Sequence, residues 1–172
     1  MSTLRLDHET GRAVRLCWGD ALLARYVYAP EVELKESPKP YFHPLNSLAG
    51  DTLTNFRPND HPWHHGLCFT LNQVSGANFW GGPTCLRPDG YKWRDDHGVQ
   101  QHVAWTRLEA AGATATLAHT LEWRRLAETL LRETRTLGVT VDAAARTWAL
   151  HWQGRITNVS AANSNPSTRI VS

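Results

Sequence analysis

Thr114-Ala115-Thr116-Leu117-Ala118-His119-Thr120-Leu121-Glu122-Trp123 is the stretch on which the fold turns. Ala115, Leu117, His119, Leu121 and Trp123 fall on one side of a period-two pattern, and the intervening residues fall on the other. Successive side chains of a strand point to opposite faces, so this is a half-buried strand with His119 as a core histidine. Trp148, Leu150, Trp152, Gly154 and Ile156 alternate in the same way, and residues 114–124 and 146–157 are expected as neighbouring core strands. Leu22 to Tyr28 and Val99 to Leu108 also read as strands. Leu126, Leu130 and Leu131 could form a helical face, but Thr134-Arg135-Thr136-Leu137-Gly138-Val139-Thr140-Val141 is β-like. That segment is therefore read as two strands joined near Arg125-Leu126-Ala127. Gly112, Asp142 and Pro88-Asp89-Gly90 supply turns. The expected fold is mainly β, an antiparallel β-sandwich, with one domain over residues 1–160. Residues 161–172 carry no packing pattern and read as a disordered or foreign tail.

Composition narrows the function. A chain of 172 residues suffices for one substantial core, and 41% hydrophobic with 20% charged residues is ordinary for a globular protein. A formal charge of +2 with scattered arginines argues against a nucleic-acid partner. No apolar run is long enough for a membrane span, so no membrane partner is expected. Cys17, Cys68 and Cys85 form no CxxC pair and read as small apolar residues in a reducing compartment. Charged residues occupy Met1 to His8, where a signal peptide needs an apolar run, and the expected location is cytoplasmic. The unusual counts are eight Trp and nine His. Indoles suit both all-β cores and sugar-binding clefts.

Between about Ser37 and Trp93 alternation gives way to Pro, Gly, Asn, His and Trp, and long irregular segments inside a compact domain are usually functional. Asp60-His61-Pro62-Trp63-His64-His65-Gly66 concentrates three imidazoles. Neutral imidazole binds metals and exchanges protons near neutral pH. Pro62 and the spacing do not fit the helical HExxH zinc motif, and no bound metal or other cofactor is expected. His61, His64 and His65 are the candidate acid/base groups. His43, Arg57, Asp60, Trp63, Asn78 and Trp80 are the candidate binding groups, because a polyhydroxylated ligand stacks its C–H faces on aromatic rings and pairs its hydroxyls with donors and acceptors. The alternative for each is a structural role in loops or core. Asp95-Asp96-His97 reads as a solvated turn. No nucleophile elbow, P-loop or dinucleotide-binding glycine pattern occurs.

Pro40-Tyr41-Phe42-His43-Pro44-Leu45, Asp60-His61-Pro62-Trp63-His64-His65-Gly66-Leu67 and Asn78-Phe79-Trp80-Gly81 together resemble the signatures of the PmoA-like family over about residues 12 to 160. The resemblance implies part of a galactose-mutarotase-like β-supersandwich and an association with sugar catabolism. It maps His43, Asp60, His61, His64 and His65 onto signature positions without giving each a role. The methane-oxygenase label attached to that family would require membrane spans, which this chain lacks. Members of the family continue beyond Ile156-Thr157-Asn158-Val159-Ser160, so the chain is expected to be a truncated form lacking the late carboxylate of mutarotase-type enzymes. Three readings follow: a carbohydrate-interacting protein, sugar-modifying or epimerase-like; a metal-dependent oxidoreductase using the His cluster and Asp60; and a non-enzymatic ligand-binding or oligomerisation module. The expected partner is a small-molecule carbohydrate, with self-association into a homo-oligomer.

Overall fold

The computed structural model describes residues 2–160, so the tail expected over 161–172 lies outside the described residues. Among them the fold is mainly β, with antiparallel sheets and no α-helix. The first sheet runs in the order β1 (Leu4–Glu9), β2 (Ala13–Trp18), β3 (Ala21–Val27), β4 (Tyr41–Leu45), β5 (Leu67–Cys68). The second is a meander of four long strands, β10 (Val99–Ala111), β11 (Thr114–Arg125), β12 (Glu128–Asp142) and β13 (Thr147–Asn158). Between them in sequence lie two small hairpins, β6 (Gln73–Val74) with β7 (Ala77–Asn78), and β8 (Thr84–Leu86) with β9 (Gly90–Lys92). Among the described residues no helix is long and apolar enough to cross a membrane.

Alternation builds the sandwich. Val14, Leu16, Leu23, Tyr26 and Phe42 of the first sheet share one buried cluster with Ala115, Leu117, Leu137, Val139 and Val141 of the second. On β11, Ala115, Leu117, His119, Leu121 and Trp123 are all buried, as their alternation requires. The β11–β12 connection falls where the sequence places it, with Leu126 at a positive φ of 53° between Arg125 and Glu128. The expected neighbours 114–124 and 146–157 are not adjacent, because β12 lies between them and β13 is the sheet edge. Alternation reports which face of a strand is apolar but carries no information on strand order. Trp148, Leu150, Trp152 and Ile156 are accordingly only half-buried.

A polar chain crosses this core. Arg135 and Glu133 are both fully enclosed and paired at 2.6 Å, and Trp123 Nε1 donates to Glu133 at 2.8 Å. Arg135 donates to Tyr26 Oη at 3.1 Å, which stands 3.0 Å from His119 Nε2; His119 Nδ1 lies 2.9 Å from His102 Nδ1. Burial pushes the Tyr26 hydroxyl up to about 12, so it stays protonated. A hydroxyl that accepts from Arg135 can also donate to His119 Nε2, an arrangement that would put the Nδ1 proton on His119 and make His102 Nδ1 its acceptor. Burial, with the Arg135 charge nearby, lowers His119 to about 2, so its imidazole is neutral.

The first sheet also carries an outer face. Ala13, Val27 and Tyr41 point away from the main core, and Phe56 and Cys68 pack against them. Tyr41 stacks on Phe56, and Phe56 stacks on His43. This outer aromatic layer anchors the histidine stretch to β4.

Candidate functional site: an aromatic cleft beside the histidine turn

The histidine stretch is a pair of tight turns. His61 N donates to Pro58 O and His64 N donates to His61 O, each at 3.0 Å. Gly66 closes the turn at a φ of 52°, where a Cβ would stand 2.1 Å from Phe42 O, so only glycine brings the chain back onto β4. These turns separate the three imidazoles. His65 points inward and is fully buried, while His61 and His64 remain exposed on the outside.

His65 has a structural partner. Its Nε2 lies 2.8 Å from Glu36 Oε2 and 3.1 Å from Pro62 O, two acceptors that identify this nitrogen as the protonated one. Burial lowers the His65 pKa against the opposing pull of Glu36. Glu36, at the end of a 3-10 turn (Leu34–Glu36), is itself buried. Arg57 Nη2 stands 3.1 Å from Glu36 Oε1, close enough for an ion pair but not aligned for a hydrogen bond. Next to it Lys39 is almost fully enclosed, its ammonium held by the carbonyls of Glu36 at 3.0 Å, Ser37 at 3.1 Å and Trp80 at 2.8 Å, with Trp63 O at 3.5 Å. Burial lowers its pKa to about 8. Lys39 thereby ties together the backbones that carry Trp63 and Trp80.

A second loop meets the turn from the opposite side. Asn78 is buried, and its Oδ1 accepts from Trp80 N at 2.9 Å and Gly81 N at 3.0 Å. Its Nδ2 reaches Thr84 Oγ1 at 3.0 Å and Gly82 O at 3.2 Å. This knot turns the chain so that Trp80 projects outward, 45% exposed. Gly81 and Gly82, at φ of 99° and 67°, let Trp63 lie directly on the backbone; a Cβ on Gly82 would be 2.3 Å from Trp63 Cε2.

Between turn and loop opens a cleft of about 350 Å³ lined by Lys39, Trp63, His64, His65, Cys68, Thr70 and Trp80, within the range of small-molecule sites. The His64 ring is 5.7 Å from Trp80 edge-on and 5.0 Å from His61, stacked. Among the described residues no protein hydrogen bond holds that ring. Partial burial and the neighbouring His61 and Lys39 lower its pKa, so it is neutral at pH 7 and offers one donor and one acceptor. His61 Nδ1 lies 2.9 Å from Asp60 Oδ2 in an exposed pair, which holds the Asp60 carboxyl below its usual range.

A protein-family model described as a family of unknown function, DUF6807, matches residues 13–164. The chain belongs to the DUF6807 family. No curated protein and no solved structure matches it significantly. The DUF6807 match covers every element that builds the cleft.

Of the residues expected in this DUF6807 site, Trp63, His64, His65 and Trp80 line one cleft. Asn78 corrects the expectation of a ligand-facing amide, because its side-chain atoms are committed to the loop. His65, expected as acid/base, is a buried anchor to Glu36. His43 pairs with Thr54 Oγ1 at 2.9 Å outside the cleft, and Arg57, Asp60 and His61 do not line it. Asp95-Asp96-His97 is a solvated turn only at Asp95; Asp96 accepts from Thr84 Oγ1 at 2.9 Å, and buried His97 donates to Gly82 O at 2.8 Å. Among the described residues no three His, Cys, Asp or Glu side chains converge as a metal-ligand set. Glu36 and Lys39 were not anticipated. Both sit in Glu36-Ser37-Pro38-Lys39, whose charges read locally as solvated, and only tertiary closure by Trp63 and Trp80 encloses them.

Proposed function

We propose that the cleft binds a carbohydrate, with Trp80 and Trp63 as stacking surfaces and His64 as the group that exchanges hydrogen bonds, and where chemistry occurs a proton, with a sugar hydroxyl. The observation that carries this reading is the convergence of two indoles on one unengaged, neutral imidazole in a pre-formed cleft. Sugars need that combination of apolar faces and adaptable polar atoms. The resemblance of Tyr41-Phe42-His43-Pro44 and of the histidine turn to the PmoA-like family, with its link to sugar catabolism, supports the same reading. Among the described residues lining the cleft His64 carries the general acid/base capacity, since Lys39 is locked among carbonyls, His65 is held on Glu36 and burial pushes the Cys68 thiol up. Binding is therefore the primary activity, and any sugar modification runs through His64. Among the described residues β13 is a sheet edge, which supports self-association as a separate property.

The test is calorimetric titration of the protein and of Trp80→Ala and His64→Gln with a panel of aldoses and glycosides. Binding by the parent chain, weakened on the order of tenfold or more by either substitution, is expected. Equal affinity in all three proteins would remove the cleft from the account.

A further inference from the structure

Trp63 has a second neighbour. Trp93, which follows β9, meets it edge-to-face with ring centres 5.9 Å apart. Trp93 is 59% exposed, and Tyr91 two residues earlier is 74% exposed. Trp93 lines a separate cleft of about 500 Å³ together with Lys35, Arg94, Asp95, Arg125 and the exposed side chains of Leu34 and Leu126. Trp80, His64, Trp63 and Trp93 thus form an unbroken aromatic row, each ring within 6.1 Å of the next. The row draws on three segments distant in sequence: the histidine turn, the Asn78–Gly82 loop and the strand-end after β9.

Single exposed aromatics are commonplace, but contiguous exposed apolar rows mark interaction surfaces. The chemistry along this one alternates. Each terminal indole stands beside hydrogen-bonding groups, His64 and Thr70 at the Trp80 end and Arg94, Asp95 and Lys35 at the Trp93 end. Trp63 is the fixed divider, pinned on Gly82 and by the Lys39 bridge. At the Trp93 end Lys35 pairs with Glu33 at 2.8 Å and Arg94 with Asp96 at 3.3 Å, and an apolar peptide would desolvate these pairs without adding a hydrogen bond. A chain of sugar rings presents a C–H face and a rim of hydroxyls at every unit, matching a repeated indole-plus-polar pattern.

We infer that the two clefts are subsites of one groove, and that its ligand is an oligosaccharide lying across Trp80, Trp63 and Trp93 rather than a monosaccharide. This rests on the carbohydrate reading of the first cleft and specifies its substrate class. The test is calorimetric titration with homologous gluco-, galacto-, manno- and xylo-oligosaccharides, each from monosaccharide to hexasaccharide, on the parent chain and on Trp93→Ala. Affinity for the best series should rise on the order of tenfold from monosaccharide to trisaccharide. Trp93→Ala should abolish that rise. Trp93 is exposed, so its truncation leaves the fold intact, which matching thermal unfolding of the two proteins checks. Equal affinity for every chain length, or a rise untouched by Trp93→Ala, overturns the inference while leaving the first cleft as a monosaccharide site. Absence of binding by every series overturns this inference and the carbohydrate reading together.

Discussion

His64 differs from its two sequence neighbours only in where the turns send it, and that decides its chemistry. His61 is occupied by Asp60 and His65 by Glu36. His64 keeps both nitrogens for a ligand, and its lowered pKa leaves it neutral at pH 7. Ligand binding through His64 should therefore be flat near pH 7, below the Lys39 titration at about 8, and fall once the pH drops below the ordinary histidine range. Fluorescence titration at a series of pH values, with His64→Gln removing the acidic fall, checks this. Gly82 is the matching positional constraint. Gly82→Ala adds a Cβ at 2.3 Å from Trp63 Cε2 and forces alanine to a φ of 67°. The left-handed strain alone costs about 1–2 kcal/mol, and displacement of Trp63 adds to it. Urea unfolding should show a loss of about 2 kcal/mol or more, and tryptophan emission should shift. An unchanged midpoint and spectrum would mean that Trp63 is not seated on the loop.

Strands β11 and β12 show how much of the fold was legible in the sequence. Ala115, Leu117, Leu121 and Trp123 gave away the buried face of β11, because period two is enforced by backbone geometry. The Glu133–Arg135–Tyr26–His119–His102 chain was not legible beyond the placement of His119 in the core. A buried charge is stabilised by partners from other elements, and Tyr26 is far from Arg135 in sequence. Truncating Glu133 to Ala should destabilise the fold by about 3–5 kcal/mol, because Arg135 is left as an uncompensated buried cation. A loss below about 1 kcal/mol on chemical unfolding would contradict the enclosed pair. The same chain sets an acid limit. His119 has a folded-state pKa of about 2, below its ordinary 6.5, so the unfolded state takes up this proton more readily. Its contribution is complete above about pH 6.5 and erodes as the pH falls toward 2, by up to about 1.4 kcal/mol per pH unit. His43, His65 and His102 are lowered in the same direction. Unfolding midpoints should decline from about pH 6.5 downward, and His119→Gln should flatten that decline.

At the scale of the molecule, the two sheets approach where Leu4 N donates to Gly112 O at 2.8 Å, and part at the opposite side. There β5 and β13 are both edges, and a groove of about 490 Å³ is lined by Leu45, Leu53, Leu67, Phe69, Trp148, Leu150 and Trp152. The Trp152 Nε1 proton finds no partner among the described residues. A long edge strand beside an apolar groove favours pairing with another chain. Light scattering over a concentration series should show self-association of this chain, reduced by Leu150→Lys. A concentration-independent monomer would contradict that expectation. The candidate site was legible in part for a related reason. Trp63, His64 and Trp80 stood out because aromatic and imidazole residues cluster in an irregular segment, whereas the inward turn of His65 and the commitment of Asn78 depend on how two loops close against each other.

The central claim is that Trp63 and Trp80 contact a carbohydrate. Indole N–H resonances of the eight tryptophans, assigned by substitution and followed during titration with the best-binding sugar, test it most directly. The account predicts selective shifts of Trp63 and Trp80, with Trp93 joining them for longer chains, while Trp18, Trp105, Trp123, Trp148 and Trp152 stay in place. Shifts confined to Trp148 and Trp152, or no shift with any sugar, would contradict it.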